Sequence, residues 1–164
     1  MLRRLRETAP AGLVPLAWTF ATAAHLELLA VRTVLAGHVV MDVLLLAFAV
    51  LSWDDMRDHL VLRAWLGVIV VGFGVTLVGT YALAVGDESL ARLTVLGWML
   101  LPALALLYTG RVLPAAERAS LYTLGGALSG VGAVAFAVGV APVAALVAVG
   151  VGQTLGILVA VVEY

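Results

Sequence analysis

The sequence contains no cysteine and no lysine. Without cysteine there are no disulfides, thiolate metal centres, iron–sulfur clusters or cysteine nucleophiles, and nothing from which to read a redox compartment. All nine basic residues are arginine, charged residues make up 12% of the chain, and the formal net charge is −1. A nucleic-acid partner requires a concentrated basic face, so none is expected. Nucleophile elbow, phosphate-binding loop and HExxH patterns are also missing. With no nucleophile and base pair in view, an intramembrane enzyme ranks last among the functional readings.

What is present is apolar. Of 164 residues, 64% are hydrophobic, with Ala, Val, Leu and Gly dominant. A soluble domain of this length cannot hide so much apolar surface, so the solvent is lipid. The Ala, Val, Gly and Arg bias is associated with GC-rich prokaryotic genomes. The expected location is therefore the plasma membrane of a prokaryote.

Crossing a hydrocarbon layer of about 30 Å takes about 20 apolar residues at 1.5 Å per residue. Six runs approach that length: 13–34, 37–53, 64–85, 93–109, 121–140 and 143–162. Each must be helical, because an unpaired backbone cannot face lipid. The expected fold is thus all-α, a six-span polytopic transmembrane bundle forming a single domain over 1–164. Pro142 suits the first position of the last helix, where its missing N–H costs nothing, and this makes a tight final hairpin. The basic start at Met1-Leu2-Arg3-Arg4-Leu5-Arg6 resembles a signal peptide, but apolar character continues beyond it, so an uncleaved first span is expected. With six spans, Arg3, Arg4, Arg6, Arg57, Arg63, Arg111 and Arg118 collect on one side, and only Arg32 and Arg92 on the other. By the positive-inside rule both termini are cytoplasmic.

Intramembrane ionisable groups are expensive, about 2.5–3.5 kcal/mol each on insertion scales, and so each one needs an explanation. Here they cluster in the first hairpin, as His25, Glu27, Arg32, His38 and Asp42. Depth counting sets Glu27 and Asp42 at one level on adjacent helices, while His38 and Asp42, four apart, share a face. Such a cluster would hold a proton, a cation or an axial haem ligand. The alternative is an earlier turn, with the second helix starting near Arg32, which leaves His25 and Glu27 in the headgroup region. The loop residues Asp54, Asp55, Asp58 and His59 match no EF-hand or zinc spacing and read as solvated.

Pro102 falls mid-span and frees the carbonyl of Trp98. The last two spans carry Gly126-x-x-x-Gly130 and Gly152-x-x-x-Gly156, small-residue pairs that let helix backbones approach closely, within the chain or between two copies. Gln153, beside them, is placed to hydrogen-bond across such a contact.

The stretch Ala91-Arg92-Leu93-Thr94-Val95-Leu96-Gly97-Trp98, running on to Tyr108 and Leu113-Pro114, resembles a helix of small membrane proteins related to haem-copper oxidase subunit I. There a His-x-His-x-x-x-Leu-Gly-Trp run opens a span that ends near Leu-Pro. Leu90 and Arg92 stand at the two histidine positions here and do not ligate haem, whereas Ala24-His25-Leu26-Glu27-Leu28-Leu29 echoes the pattern and keeps one histidine. The resemblance implies a haem- or respiration-linked role, with His25 or His38 as ligand. The leading expectation is a small transporter or accessory subunit, partnered by the lipid bilayer and by a second copy or another membrane protein.

Overall fold

The computed structural model describes residues 2–114 and 117–163. Six helices follow one another: α1 (Leu2–His25), α2 (Val31–Arg57), α3 (Leu60–Val85), α4 (Glu88–Val112), α5 (Ala119–Ala137) and α6 (Pro142–Glu163). No strand occurs among the described residues, and the all-α expectation holds.

The outward faces are built of large apolar side chains such as Val43, Val50, Leu104, Val131 and Val134, each more than half exposed. The inward faces are small or weakly polar instead, as on α3, where Gly72, Thr76, Gly79 and Ala82 are buried. That is the pattern of helices packed in lipid, where close backbone approach rather than apolar burial holds the bundle together. The chain is an integral membrane protein. Among the described residues, α2 to α6 are long and apolar enough to cross a bilayer, five helices where the sequence suggested six spans. The first helix differs because its opening turns carry Arg3, Arg4 and Arg6. Its apolar stretch, 11–24, is only about 21 Å long.

The helix ends explain where the boundaries move. At one end of the bundle, α1, α3 and α5 all finish in the same backbone motif. Leu28 N–H reaches Ala23 O at 3.0 Å, Asp87 N–H reaches Ala82 O at 2.9 Å, and Val140 N–H reaches Ala135 O at 2.9 Å. Each such bond spans a residue in the left-handed region: Glu27 at φ 58°, Gly86 at φ 75° and Gly139 at φ 75°. This is the Schellman cap, whose left-handed position favours glycine. Two of the three turns obey that preference, and the first places a glutamate there. The turn between the first two helices therefore falls at 26–30, not at 35–36, and the expected spans 13–34 and 37–53 are corrected accordingly. Asp87 caps α4 by accepting the N–H of Leu90 at 3.0 Å. Pro142 opens α6, as its φ and missing donor suit.

The helices pack in the order α1, α6, α5, α4, α3, α2, each against the next. The first two helices, though consecutive, barely touch; they meet where Phe20 lies against Gly37. The turns at 26–30, 86–87 and 138–141 lie at one end of the bundle, here termed the turn end, and the start of α1 and the end of α6 lie at the other.

The crossing of α5 and α6 is very close. A Cβ on Gly152 would sit 2.5 Å from Gly125 O and 2.7 Å from Ser129 Oγ, and one on Gly132 would sit 2.6 Å from Val149 Cγ2. Gly152 serves this contact as expected, while Gly156 brings its backbone N to 3.6 Å from a Cβ placed on Gly125 but turns its own Cβ position to Leu106 of α4. Gly126 and Gly130 do not serve it. Gly126 faces Ala103 and Leu107 of α4, and Gly130 has open space where a Cβ would project. The α5 partner is Gly125-x-x-x-Ser129, offset by one residue. One residue turns a helix face by about 100°, so equal spacings leave the choice to packing.

Candidate functional site

Buried hydroxyls in lipid must find partners, and most here bond back to their own helix. Thr76 donates to Gly72 O at 2.9 Å, Thr94 to Leu90 O at 3.1 Å and Ser129 to Gly125 O at 2.8 Å. These bonds leave nothing unsatisfied and propose no chemistry.

A second polar system ties helices together. Pro102 lies inside α4 with no N–H to offer the carbonyl of Trp98. The side-chain amide of Gln153 fills that vacancy, with Nε2 donating to Trp98 O at 3.0 Å and more weakly to Met99 O at 3.4 Å. Its Oε1 accepts the indole N–H of Trp18 at 2.9 Å. Trp98 in turn donates from its indole to Thr76 Oγ1 at 3.0 Å. Gln153 therefore bridges α1, α6 and α4. All its polar atoms are used, which marks a structural role.

Asp42 is different. It lies on α2, about 16 Å along the axis from Val31, and is 9% exposed. Its Oδ2 accepts the hydroxyl of Thr80, on α3, at 2.7 Å. Its Oδ1 is the one buried side-chain polar atom without a hydrogen-bond partner among the described residues. His38, one turn towards the turn end, shares that face and is half-buried. Its Nδ1 lies 3.0 Å from Val34 O. A carbonyl can only accept, so in the neutral ring Nδ1 carries the hydrogen and Nε2 the lone pair. Nε2 looks at Gly79 of α3, 3.1 Å from where a Cβ there would stand, and the methyl of Thr94 of α4 fills the same notch at 2.6 Å. His38, Thr80 and Thr94 lie about 8–11 Å from the turn-end tips of their helices.

Of the five expected site residues, two lie on the inward face of α2, half-buried His38 and buried Asp42, with no hydrogen bond between them. His25 ends α1 with its ring 5.9 Å from that of Phe136, and Glu27 stands exposed in the turn. Arg32 is exposed in the first turn of α2. The predicted Glu27 and Asp42 layer does not form, because the earlier turn lifts Glu27 to the bundle surface while Asp42 stays deep. Nor is the site between α1 and α2: Asp42 turns towards α3. Sequence reasoning missed Thr80, although the small and polar series at 72, 76, 79, 80 and 82 has the helical spacing of an interior face. It also missed Trp18 as the partner of Gln153.

The two histidines expected as haem ligands face different helices, His25 towards α5 and His38 towards α3, so they do not frame one haem between them. Arg92, at the second position of the motif resemblance, caps the end of α5 by donating to Phe136 O at 3.1 Å and Ala137 O at 2.9 Å. Its guanidinium also lies over the Phe136 ring, 5.7 Å from the centroid. A cation is well placed at a helix C-terminus. At the opposite end Asp54 and Asp58 pair with Arg57 in solvent, at 3.4 and 3.9 Å. No group of three or more His, Asp or Glu side chains gathers as a metal cage among the described residues. A shallow groove of about 400 Å³ on the exposed side of α2, lined by Ala49, Val50, Trp53 and Asp54, holds none of the site residues.

No family model matches the chain, and no curated protein or solved structure is similar to it.

Proposed function

We propose that this protein is a small polytopic transporter, or an accessory subunit of a membrane complex, whose working group is Asp42, binding a proton or a monovalent cation between α2 and α3. The observation that carries the reading is the buried, unpartnered Oδ1 of Asp42. A carboxyl group placed in the hydrocarbon costs about 2.5–3.5 kcal/mol on insertion scales, and such groups mark ion and proton pathways. One neutral hydroxyl from Thr80 does not balance a full charge. Among the described residues no arginine or histidine forms an ion pair with Asp42. A positively charged occupant supplies what the protein leaves out.

The same reading takes α1, packed along α6, as a sixth and shorter crossing, which puts both termini in the cytoplasm of a prokaryotic cell. The support is the arginine bias of seven to two between the ends of the bundle. Reporter fusions at Gly86 and at the C-terminus are expected to signal opposite sides, and signals from the same side would remove the topology.

The site is tested by infrared difference spectroscopy of the purified protein in lipid vesicles, comparing acidic with alkaline buffer and sodium with a bulky organic cation. A carboxyl band that responds to either exchange and vanishes in Asp42→Asn is expected. Spectra identical in Asp42→Asn and the parent protein would end the proposal.

A further inference from the structure

Building on the Asp42 reading, we infer that the occupant is a proton and that His38 exchanges it with the turn end of the bundle. The first half follows from what surrounds the carboxyl group. A metal cation bound in place of its hydration shell needs several oxygens converging on it, commonly from unwound backbone in membrane helices. Here α2 and α3 run unbroken past the site, so their carbonyls are engaged within the helices. Thr94 turns its methyl group to the notch and bonds its hydroxyl to Leu90 O. Among the described residues only Thr80 hydrogen-bonds the carboxyl group, and it does so by donating. That leaves Oδ1 room for a hydrogen but no cage for an ion.

The second half follows from placement. His38 stands one turn nearer the turn end than Asp42, on the same face, and neighbours four apart have Cβ atoms about 5–6 Å from each other. Its Nδ1 is committed to Val34 O, which leaves Nε2 as the exchanging nitrogen. From α3 the ring meets Gly79 beside Thr80, and from α4 it meets Thr94, none of which titrates. Phe20 of α1 closes the flank at Gly37. Of the charged groups nearer the turn end, Glu27, Arg32 and Glu88 are exposed, half-buried Asp87 caps α4 at Leu90 N–H, and exposed His25 and Arg92 lie against Phe136 of α5. Asp42 is therefore the titratable group that shares the ring's buried face. A proton from water adds to Nε2 while Nδ1–H stays on Val34 O. Oδ1 stands beyond hydrogen-bond reach of the ring, so one intervening water protonates Oδ1 as it takes up the Nε2 proton, the ring returns to its starting tautomer, and release retraces these steps. No other reactant is needed.

Gly79 keeps the ring in place, because a Cβ there would press on both His38 and Thr94.

The test follows the Asp42 carboxyl band in time after a rapid pH step, using the full chain in vesicles. His38→Gln is expected to slow the change at least tenfold while leaving its final amplitude intact, and Gly79→Ala to slow it by a smaller factor. A His38→Gln variant that keeps the parent rate overturns the relay. If His38→Gln does not fold, the folded His25→Gln/His59→Gln protein carries the same experiment, since diethyl pyrocarbonate then acylates Nε2 of the single remaining histidine. Full acylation with an unchanged rate overturns the inference equally. A band that answers to sodium at constant pH, and not to pH, overturns the proton and leaves Asp42 as a cation site. Absence of any Asp42 band removes both readings.

Discussion

Replacing Gln153 by leucine strips two buried groups of their partner, the Trp98 carbonyl that Pro102 cannot serve and the indole N–H of Trp18. Leaving a buried polar group unpaired costs about 1–3 kcal/mol in proteins generally. Interhelical hydrogen bonds in membranes average about 0.6 kcal/mol and reach about 1.7. Two such losses predict that Gln153→Leu destabilises the bundle by about 1–3 kcal/mol. The sharper test changes Pro102 as well. In Pro102→Ala, residue 102 regains an N–H that reaches back to Trp98 O within the helix, so only the Trp18 bond then depends on Gln153. The cost of Gln153→Leu should fall by about 0.6–1.7 kcal/mol in that background. Equilibrium unfolding of the four proteins in mixed micelles of rising dodecyl sulfate content, followed by helical circular dichroism, measures the cycle. Strictly additive effects would show that the Pro102 vacancy is not what Gln153 serves, and would refute the account of how α6 is tied to α4.

Two further substitutions bear on features that packing decided. Glu27→Gly should stabilise the protein by up to about 1 kcal/mol, because glycine relieves the left-handed φ at the first turn; were residue 27 inside a helix running to 34, the same change would destabilise by a similar amount, so the sign from an unfolding titration settles the turn. Gly152→Ala should cost about 1–3 kcal/mol by overpacking the crossing with Gly125 and Ser129, whereas Gly130→Ala, projecting into open space, should gain about 0.5–1 kcal/mol from helix propensity alone. Equal responses at Gly130 and Gly152 in the same titration would contradict the observed face of α5.

Some of this was legible in the residues, and the candidate site only partly so. Asp42 and His38 announced themselves because a carboxylate and an imidazole four apart in an apolar run share a helical face whatever the fold. Their companions did not. Glu27 and His25 were misplaced in depth because the first turn lacks the glycine that marks the equivalent turns at Gly86 and Gly139. Thr80 was overlooked because a threonine in a transmembrane helix usually satisfies itself, as Thr76 and Thr94 do.

The residues alone show that lipid is the solvent and that the spans are helices. Composition and the length of the apolar runs suffice for that, since a bilayer offers the backbone no other partner. They also set the last hairpin, through Pro142, and the vacancy at Trp98, through Pro102, because proline chemistry is local. Packing in three dimensions chooses which helices become neighbours, setting α1 against α6 rather than against α2, and so which residue meets Asp42. Between helices that are apolar all round, no stripe of hydrophobicity points to a partner. The choice rests instead on which small residues allow backbones to close, as Gly125 and Gly152 do, and spacing along one strand of sequence does not encode that.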